Sequence, residues 1–331
     1  MYDNDSAKQK LVAALKEKQT VLLAGAGISR SVGYPSWRQL VELMRRTFAS
    51  HLTWSPNVVE ITFANTIFAE IRQNGKEDAY HNFLYNVFGP PRDGSRQHDD
   101  MHVALVRLPF CGLVTTNYER VIESAVGEAF ASNGASQFCE EVDLCGERPY
   151  PVFQFFRSLA VGKRQGVLHL HGYYKNPGRL ILTEDDYLRM YGKAPKYKKD
   201  GLTLNVNLDT LHRKVLWALC ISHPLVFVGF SLDDGFFRHI LQILRQDLRL
   251  GDDLEHFAIM PYTTEVEMDQ IVEKLRLLNT MPIFYYVPPV VAGEEQDHSG
   301  LKRLINELGG EVGVSMIPEP IASINKRMLE L

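Results

Sequence analysis

The residues of this chain best suited to chemistry stand at the ends of short apolar runs. Gly25-Ala26-Gly27-Ile28-Ser29 follows Thr20-Val-Leu-Leu-Ala24 directly. Glycines in that place let backbone amides approach a pyrophosphate with no Cβ in the way, although a plain tight turn would use them equally well. Thr116-Asn117-Tyr118-Glu119 follows Cys111-Gly-Leu-Val-Thr115, and Gly229-Phe230-Ser231 follows the run that begins at Leu225. His171-Gly172 closes Val167-Leu-His-Leu. Histidine titrates near neutrality and suits general acid–base work, yet a single one also reads as a hydrogen-bonded core residue. Asparagine between a strand and a helix is either a ligand contact or a helix cap. His169 lies two residues before His171 and on a strand would face the same way, which makes it the reserve candidate.

Several chemistries are excluded. Arg30 occupies the third glycine position of the dehydrogenase fingerprint, and Met44-Arg-Arg-Thr47 stands where its acid is expected, about 20 residues on. No phosphate loop of the ATPase type occurs. The four cysteines, Cys111, Cys139, Cys145 and Cys220, include no C-x-x-C pair, so no zinc ribbon and no metal site is expected. A formal net charge of −4 argues against an electrostatic nucleic-acid binder, and the basic run from Lys193 to Lys199 reads as a solvated loop.

Elements that alternate along the chain must hold these residues. Strands are predicted at Thr20–Ala24, Cys111–Thr115, Val167–His171, Leu225–Gly229, His256–Met260 and Pro282–Tyr286, with a weak one at Pro151–Phe155. Helices are predicted at Ser6–Lys18, from the Ser36 cap to Ala49, and over Val58–Gln73, Glu77–Val87, His98–Leu108 and Glu119–Phe130. Others are Asp185–Met190, Leu204–Ser222, Asp233–Leu248, Glu265–Leu278 and Leu301–Leu308. Short apolar strands separated by helices of ten or more residues indicate an α/β fold: a Rossmann-like parallel sheet with helices on both faces. The helices from about 36 to 110 read as an insertion between the first two strands. Residues 1–290 are taken as the catalytic domain and 291–331 as a helix and tail open to assembly.

The longer run Gly25-Ala-Gly-Ile-Ser-Arg-Ser-Val-Gly-Tyr-Pro-Ser-Trp-Arg38 resembles the nucleotide-binding segment of the sirtuin family, G-A-G-I-S-x-x-S-G-I-P-D-F-R. Thr116-Asn117-Tyr-Glu119, His171-Gly172 and Gly229-Phe-Ser231 follow in the order of that family's Q-N-I-D, H-G and G-T-S motifs. The resemblance spans about residues 20 to 265. It departs from the protein deacylases of the family, which carry a four-cysteine zinc ribbon. With Ser36, Trp37 and the Gly-Phe-Ser-Leu-Asp-Asp run, the chain looks more like the bacterial sirtuin-like domains of anti-phage systems, which hydrolyse NAD.

That resemblance implies an NAD hydrolase releasing nicotinamide and ADP-ribose, with NAD as substrate and no metal. It implies Asn117 and His171 as catalytic residues, Asn117 holding a water or ribose hydroxyls and His171 acting as general base. Gly25, Ala26, Gly27, Ser29, Pro35, Trp37, Arg38, Thr116, Gly229 and Ser231 are the implied NAD contacts. Trp37 would wall the nicotinamide pocket unless it is only a buried helix residue. Arg38 would meet a phosphate or ribose unless it forms a surface ion pair, and Glu119 would support Asn117. The rivals are an NAD-dependent deacylase and a catalytically silent nucleotide sensor. An unregulated hydrolase would be toxic, so a homo-oligomer or a separate phage-sensing partner is expected. The opening Met-Tyr-Asp-Asn-Asp-Ser has neither a basic nor an apolar signal region, no membrane helix is apparent, and a cytoplasmic location is expected.

Overall fold

A computed structural model describes residues 2–55, 58–91, 93–131, 139–164, 166–192, 209–230, 256–289 and 297–314. Among the described residues seven strands form one sheet: β1 (Val21–Ala24), β2 (Gly112–Thr115), β3 (Glu141–Asp143), β4 (Val167–His169), β5 (Leu225–Val228), β6 (His256–Tyr262) and β7 (Thr280–Tyr286). Their order is β3-β4-β2-β1-β5-β6-β7, and every pairing is parallel. From β1 the chain first builds outward through β2, then crosses to β5 on the other side. The crevice between β1 and β5 is therefore the topological switch point, where ligands of open α/β sheets bind.

The central strands β1, β2, β4 and β5 are buried on both faces, as is usual in a parallel sheet. Leu22, Ala24, Leu113 and Val167 face a layer containing α1 (Asn4–Lys16), α6 (Asp100–Arg107), α7 (Val121–Phe130) and α12 (Ser299–Glu311). Val21, Leu23, Val114 and Leu168 face α8 (Tyr150–Ala160), α10 (Leu211–Ser222) and α11 (Glu265–Arg276). Between β1 and β2 lie α2 (Ala26–Ser29), α3 (Trp37–Phe48), α4 (Glu60–Gln73) and α5 (Glu77–Phe88) before α6. Helices α3 to α5 enclose a core of their own, with Met44, Ile67, Tyr80 and Leu84 packed against Tyr118, Tyr173 and Tyr174. This small core sits on the C-terminal edge of the sheet. Ser36 caps α3 through a reciprocal capping box with Gln39.

Four elements differ from their sequence expectation. Pro151–Phe155 is the start of α8, not a strand. Pro151 sits in the first turn, where its missing N–H costs nothing, and Val152, Phe155 and Leu159 form one buried helical face. The edge strand β3 went unpredicted because three residues with one buried side chain carry no readable alternation. Strand β4 ends at His169, two residues earlier than expected. Helix α10 begins at Leu211. The basic run, the helix expected at Asp233–Leu248 and Ser231 lie outside the described residues.

Candidate active site

The glycine turn after β1 is locked to the end of β5. Gly25 donates its N–H to the Val228 carbonyl at 2.9 Å, and Gly27 donates to the Gly229 carbonyl at 2.8 Å. A Cβ on Gly27 would stand 2.8 Å from the Gly229 oxygen, and one on Gly229, at φ +75°, would stand 2.6 Å from the Ile28 nitrogen. These glycines therefore serve a backbone-to-backbone contact across the switch point. The Gly27 amide, expected to be offered to a phosphate, is engaged within the chain.

Asn117 stands just beyond β2, three residues before the Arg120 N-cap of α7, so it is not that helix's cap. The capping acceptor is Glu119, whose Oε2 receives the Val121 N–H at 2.8 Å. The Asn117 side chain reaches instead across to the turn after β1. Its Nδ2 donates to the Gly25 carbonyl at 3.2 Å and to Ser29 Oγ at 3.1 Å. Ser29 in turn donates its hydroxyl to Glu119 Oε1 at 2.5 Å. The direction of this chain is forced. A carbonyl can only accept, so the amide must turn its NH2 toward Gly25, and both amide protons are then spent. What Asn117 can present to a ligand is Oδ1, an acceptor. Glu119 is buried, which pushes its carboxyl above the ordinary range against the pull of the Ser29 and Val121 hydrogen bonds.

The two histidines of the Val-Leu-His-Leu-His run do not face the same way. The strand ends between them, so period-two alternation stops. His169 meets the Asn117 carbonyl, Glu123 and the Tyr173 ring. His171 packs edge-on against Tyr187 and Tyr191 of α9 (Glu184–Tyr191), with ring centroids 5.3 and 5.9 Å away. Burial, and second the neighbouring His212, push the His171 imidazole down to about 3. This favours the neutral ring, which carries one donor and one acceptor nitrogen, and makes it a weaker base than its residue type suggests.

The remaining candidates divide. Thr116 donates its N–H to the Ala24 carbonyl at 3.2 Å, which places it beside Gly25. Ala26 lies exposed in the first turn of α2, and Pro35 is half-buried after the left-handed Gly33. Trp37 packs, half-buried, on the α3–α5 core. Arg38 is engaged on that module: its side chain is 70 % exposed, 3.4 Å from Glu60, and lies over the Trp54 ring. Sequence reasoning missed the brace beneath the turn. His102 Nε2 lies 3.0 Å from the Ile28 carbonyl, while Nδ1 meets Asp99, which also accepts from Ser31 at 2.7 Å. It also missed Glu123, whose signal was a carboxylate inside the apolar Val121-Ile-Glu-Ser-Ala-Val126 face. Among the described residues no group of three or more His, Cys, Asp or Glu could hold a metal.

The buried imidazoles set an acid limit on stability. His171 is held at about 3, and His212 and His256 at about 4, by burial. Unfolding returns each to 6.5, so below that pH the unfolded chain binds protons that the folded chain refuses. Stability should fall from pH 6.5 toward 4, with each residue costing about 2 kcal/mol by pH 5. His169, whose pKa is raised, acts in the opposite sense and loses its contribution as pH rises. Urea midpoints at pH 7.5 and pH 5 test this, and an equal or higher midpoint at pH 5 would contradict it.

A model of the SIR2-like domain matches residues 112–283, just over half of the chain. The chain belongs to the SIR2-like domain family. Its match runs from β2 to β7 and so includes Asn117, Glu119, His171 and Gly229. The chain is also 26% identical over 270 residues to the NAD(+) hydrolase ThsA of Bacillus cereus (strain MSX-D12), covering 79% of this chain and 48% of that protein. It is 23% identical over 247 residues to the NAD(+) hydrolase ThsA of Enterococcus faecium, covering 75% of this chain and 44% of that protein. This SIR2-like chain thus spans less than half the length of these curated relatives. Among the described residues, no helix is long and apolar enough to cross a membrane.

Proposed function

We propose that this SIR2-like chain hydrolyses NAD, with water as acceptor, to nicotinamide, ADP-ribose and a proton. The observation that carries the reading is the directed Glu119–Ser29–Asn117 chain at the C-terminal edge of β1 and β2. It leaves one oriented acceptor, Asn117 Oδ1, beside the switch point. The bond that breaks joins ribose C1′ to the nicotinamide nitrogen, and its electron pair leaves with nicotinamide. Positive charge then spreads over C1′ and the ring oxygen, and an oriented amide oxygen stabilises it without reorganising. The same oxygen can accept from an attacking water, which bonds to C1′ and releases its second proton. Neutral His171 accepts a hydrogen bond from a ribose hydroxyl and so fixes the sugar. The similarity to NAD(+) hydrolases supports this chemistry, and the resemblance to anti-phage sirtuin-like domains suggests a role in abortive defence. Regulation by self-assembly or a separate sensor completes the proposal, since unchecked NAD loss would kill the host.

The test is the purified chain with NAD, followed by nicotinamide release with and without an acetyl-lysine peptide, from nanomolar to micromolar protein. Release without peptide is expected, with turnover per chain changing in step with particle mass by light scattering. Release only with peptide would make the chain a deacylase. Binding without release would make it a sensor. Constant turnover by a monomer would remove self-assembly from the proposal.

A further inference from the structure

His169 is the last residue of β4, opposite Thr115 of β2 in the parallel register. It is completely buried, and both of its ring nitrogens are engaged. Nδ1 lies 2.8 Å from the Asn117 carbonyl oxygen, and Nε2 lies 2.6 Å from Glu123 Oε1. A carbonyl only accepts, so Nδ1 must carry a proton whatever the state of Glu123. The other end of the same residue is held as firmly: the Asn117 N–H donates to Thr115 Oγ1 at 2.9 Å, and Thr115 donates to the Ala24 carbonyl at 2.9 Å. Asn117 is thus pinned at its N–H by β2, at its C=O by β4 and at its amide by the turn after β1.

We propose that His169, oriented by Glu123, is a positioning residue that clamps the Asn117 backbone and thereby aims Oδ1 at the reacting carbon. The role rests on the reading of Asn117 as the group that meets NAD. His169 itself does not touch substrate, because neither ring nitrogen is left to do so. Glu123 holds the ring in its orientation through Nε2, as a carboxylate does for many functional histidines. Its other oxygen, Oε2, is buried with no hydrogen-bond partner, so the pair is not a generic solvated ion pair. Misplacing a reacting group by about 1 Å can cost about 10²-fold in rate, which sets the scale of what such a clamp protects.

Two substitutions at one position separate positioning from mere stability. In His169→Asn the side-chain NH2 takes the place of Nδ1, so the clamp on Asn117 survives and the contact with Glu123 is lost. In His169→Gln the amide reaches Glu123 instead, and the clamp is lost. His169→Gln is expected to lower kcat for nicotinamide release about 10- to 100-fold with KM nearly unchanged, while His169→Asn stays within about fivefold of the parent. On the Asn117→Ala background the two should be indistinguishable. Rates are taken per folded molecule, with thermal unfolding measured for each protein. A purely structural role predicts the reverse order, since His169→Gln keeps the buried carboxylate partnered. Equal losses, a loss carried by KM, or a fully active His169→Gln would overturn the proposal. A parent protein that releases no nicotinamide would instead overturn the assigned reaction, and the role of His169 with it.

Discussion

Asn117→Ala is expected to lower kcat for NAD cleavage by about 10²–10⁴-fold, the range for removal of one oriented catalytic group. The fold should survive, because the substitution leaves the backbone bonds to Thr115 and His169 in place. It removes two side-chain bonds, to Gly25 and Ser29, which at about 1 kcal/mol each is a tolerable loss. The sharper variant is Asn117→Asp. It has the same shape, but a carboxylate oxygen would face the Gly25 carbonyl at the place of the 3.2 Å hydrogen bond, two acceptors with no proton between them. The side chain must then rotate, and Oδ1 no longer points where the amide held it. Asn117→Asp should therefore be nearly as inactive as the alanine variant, although it keeps an oxygen acceptor. Nicotinamide release at saturating NAD, with thermal unfolding alongside, measures both. A folded Asn117→Ala protein with near-parental turnover would remove the site.

Gly229→Ala should destabilise the chain by about 3 kcal/mol or more, and Gly33→Ala by only about 1–2 kcal/mol. Both glycines have left-handed backbones, at φ +75° and +90°, so both substitutions carry the conformational cost of an L residue there. They differ in what the new methyl meets. Nothing lies within 4 Å of a Cβ at Gly33, whereas at Gly229 it would stand 2.6 Å from the Ile28 nitrogen and 3.0 Å from the Gly25 oxygen. Neither of those backbone atoms is a flexible side-chain tip, so the end of β5 must separate from the turn after β1. The Gly27 to Gly229 hydrogen bond is lost with it, and the Gly25 carbonyl that orients Asn117 shifts. Gly229→Ala should accordingly lose NAD cleavage beyond its loss of folded protein, while Gly33→Ala keeps its turnover per folded molecule. Urea midpoints and rates per folded molecule test the pair. Equal midpoints would show that the close approach contributes nothing.

Much of this architecture was legible in the residue order. Short apolar runs ending in Gly25, Thr115 and Gly229 marked three neighbouring strands, because a strand buried on both faces has no polar alternation to hide it. The helices between β1 and β2 were legible because α3 opens on the Ser36 cap, Asn74-Gly75 stops α4, and all three show helical periodicity. Strand β3 and the true nature of Pro151–Phe155 were not, since a three-residue edge strand has no period and a short apolar run does not distinguish helix from strand. Within the site, residue types and order pointed to Asn117, His171, Ser29 and Gly229. Their relations came only from tertiary structure. Whether Gly27 offers its amide to a ligand or to Gly229 depends on how closely β1 and β5 approach, which no local pattern encodes. His169 and His171 were expected to share a face, but the strand ends between them, and they diverge toward Glu123 and toward Tyr187. Arg38 stood in a matching motif position and is engaged by Glu60 and Trp54, residues supplied by later segments of the insertion. The protonation of His171 was likewise hidden, because a pKa is set by burial and neighbours and not by residue type. Sequence order supplied the strands and the chemically able residues, while the partner of each was decided by packing across segments 46 to 203 residues apart.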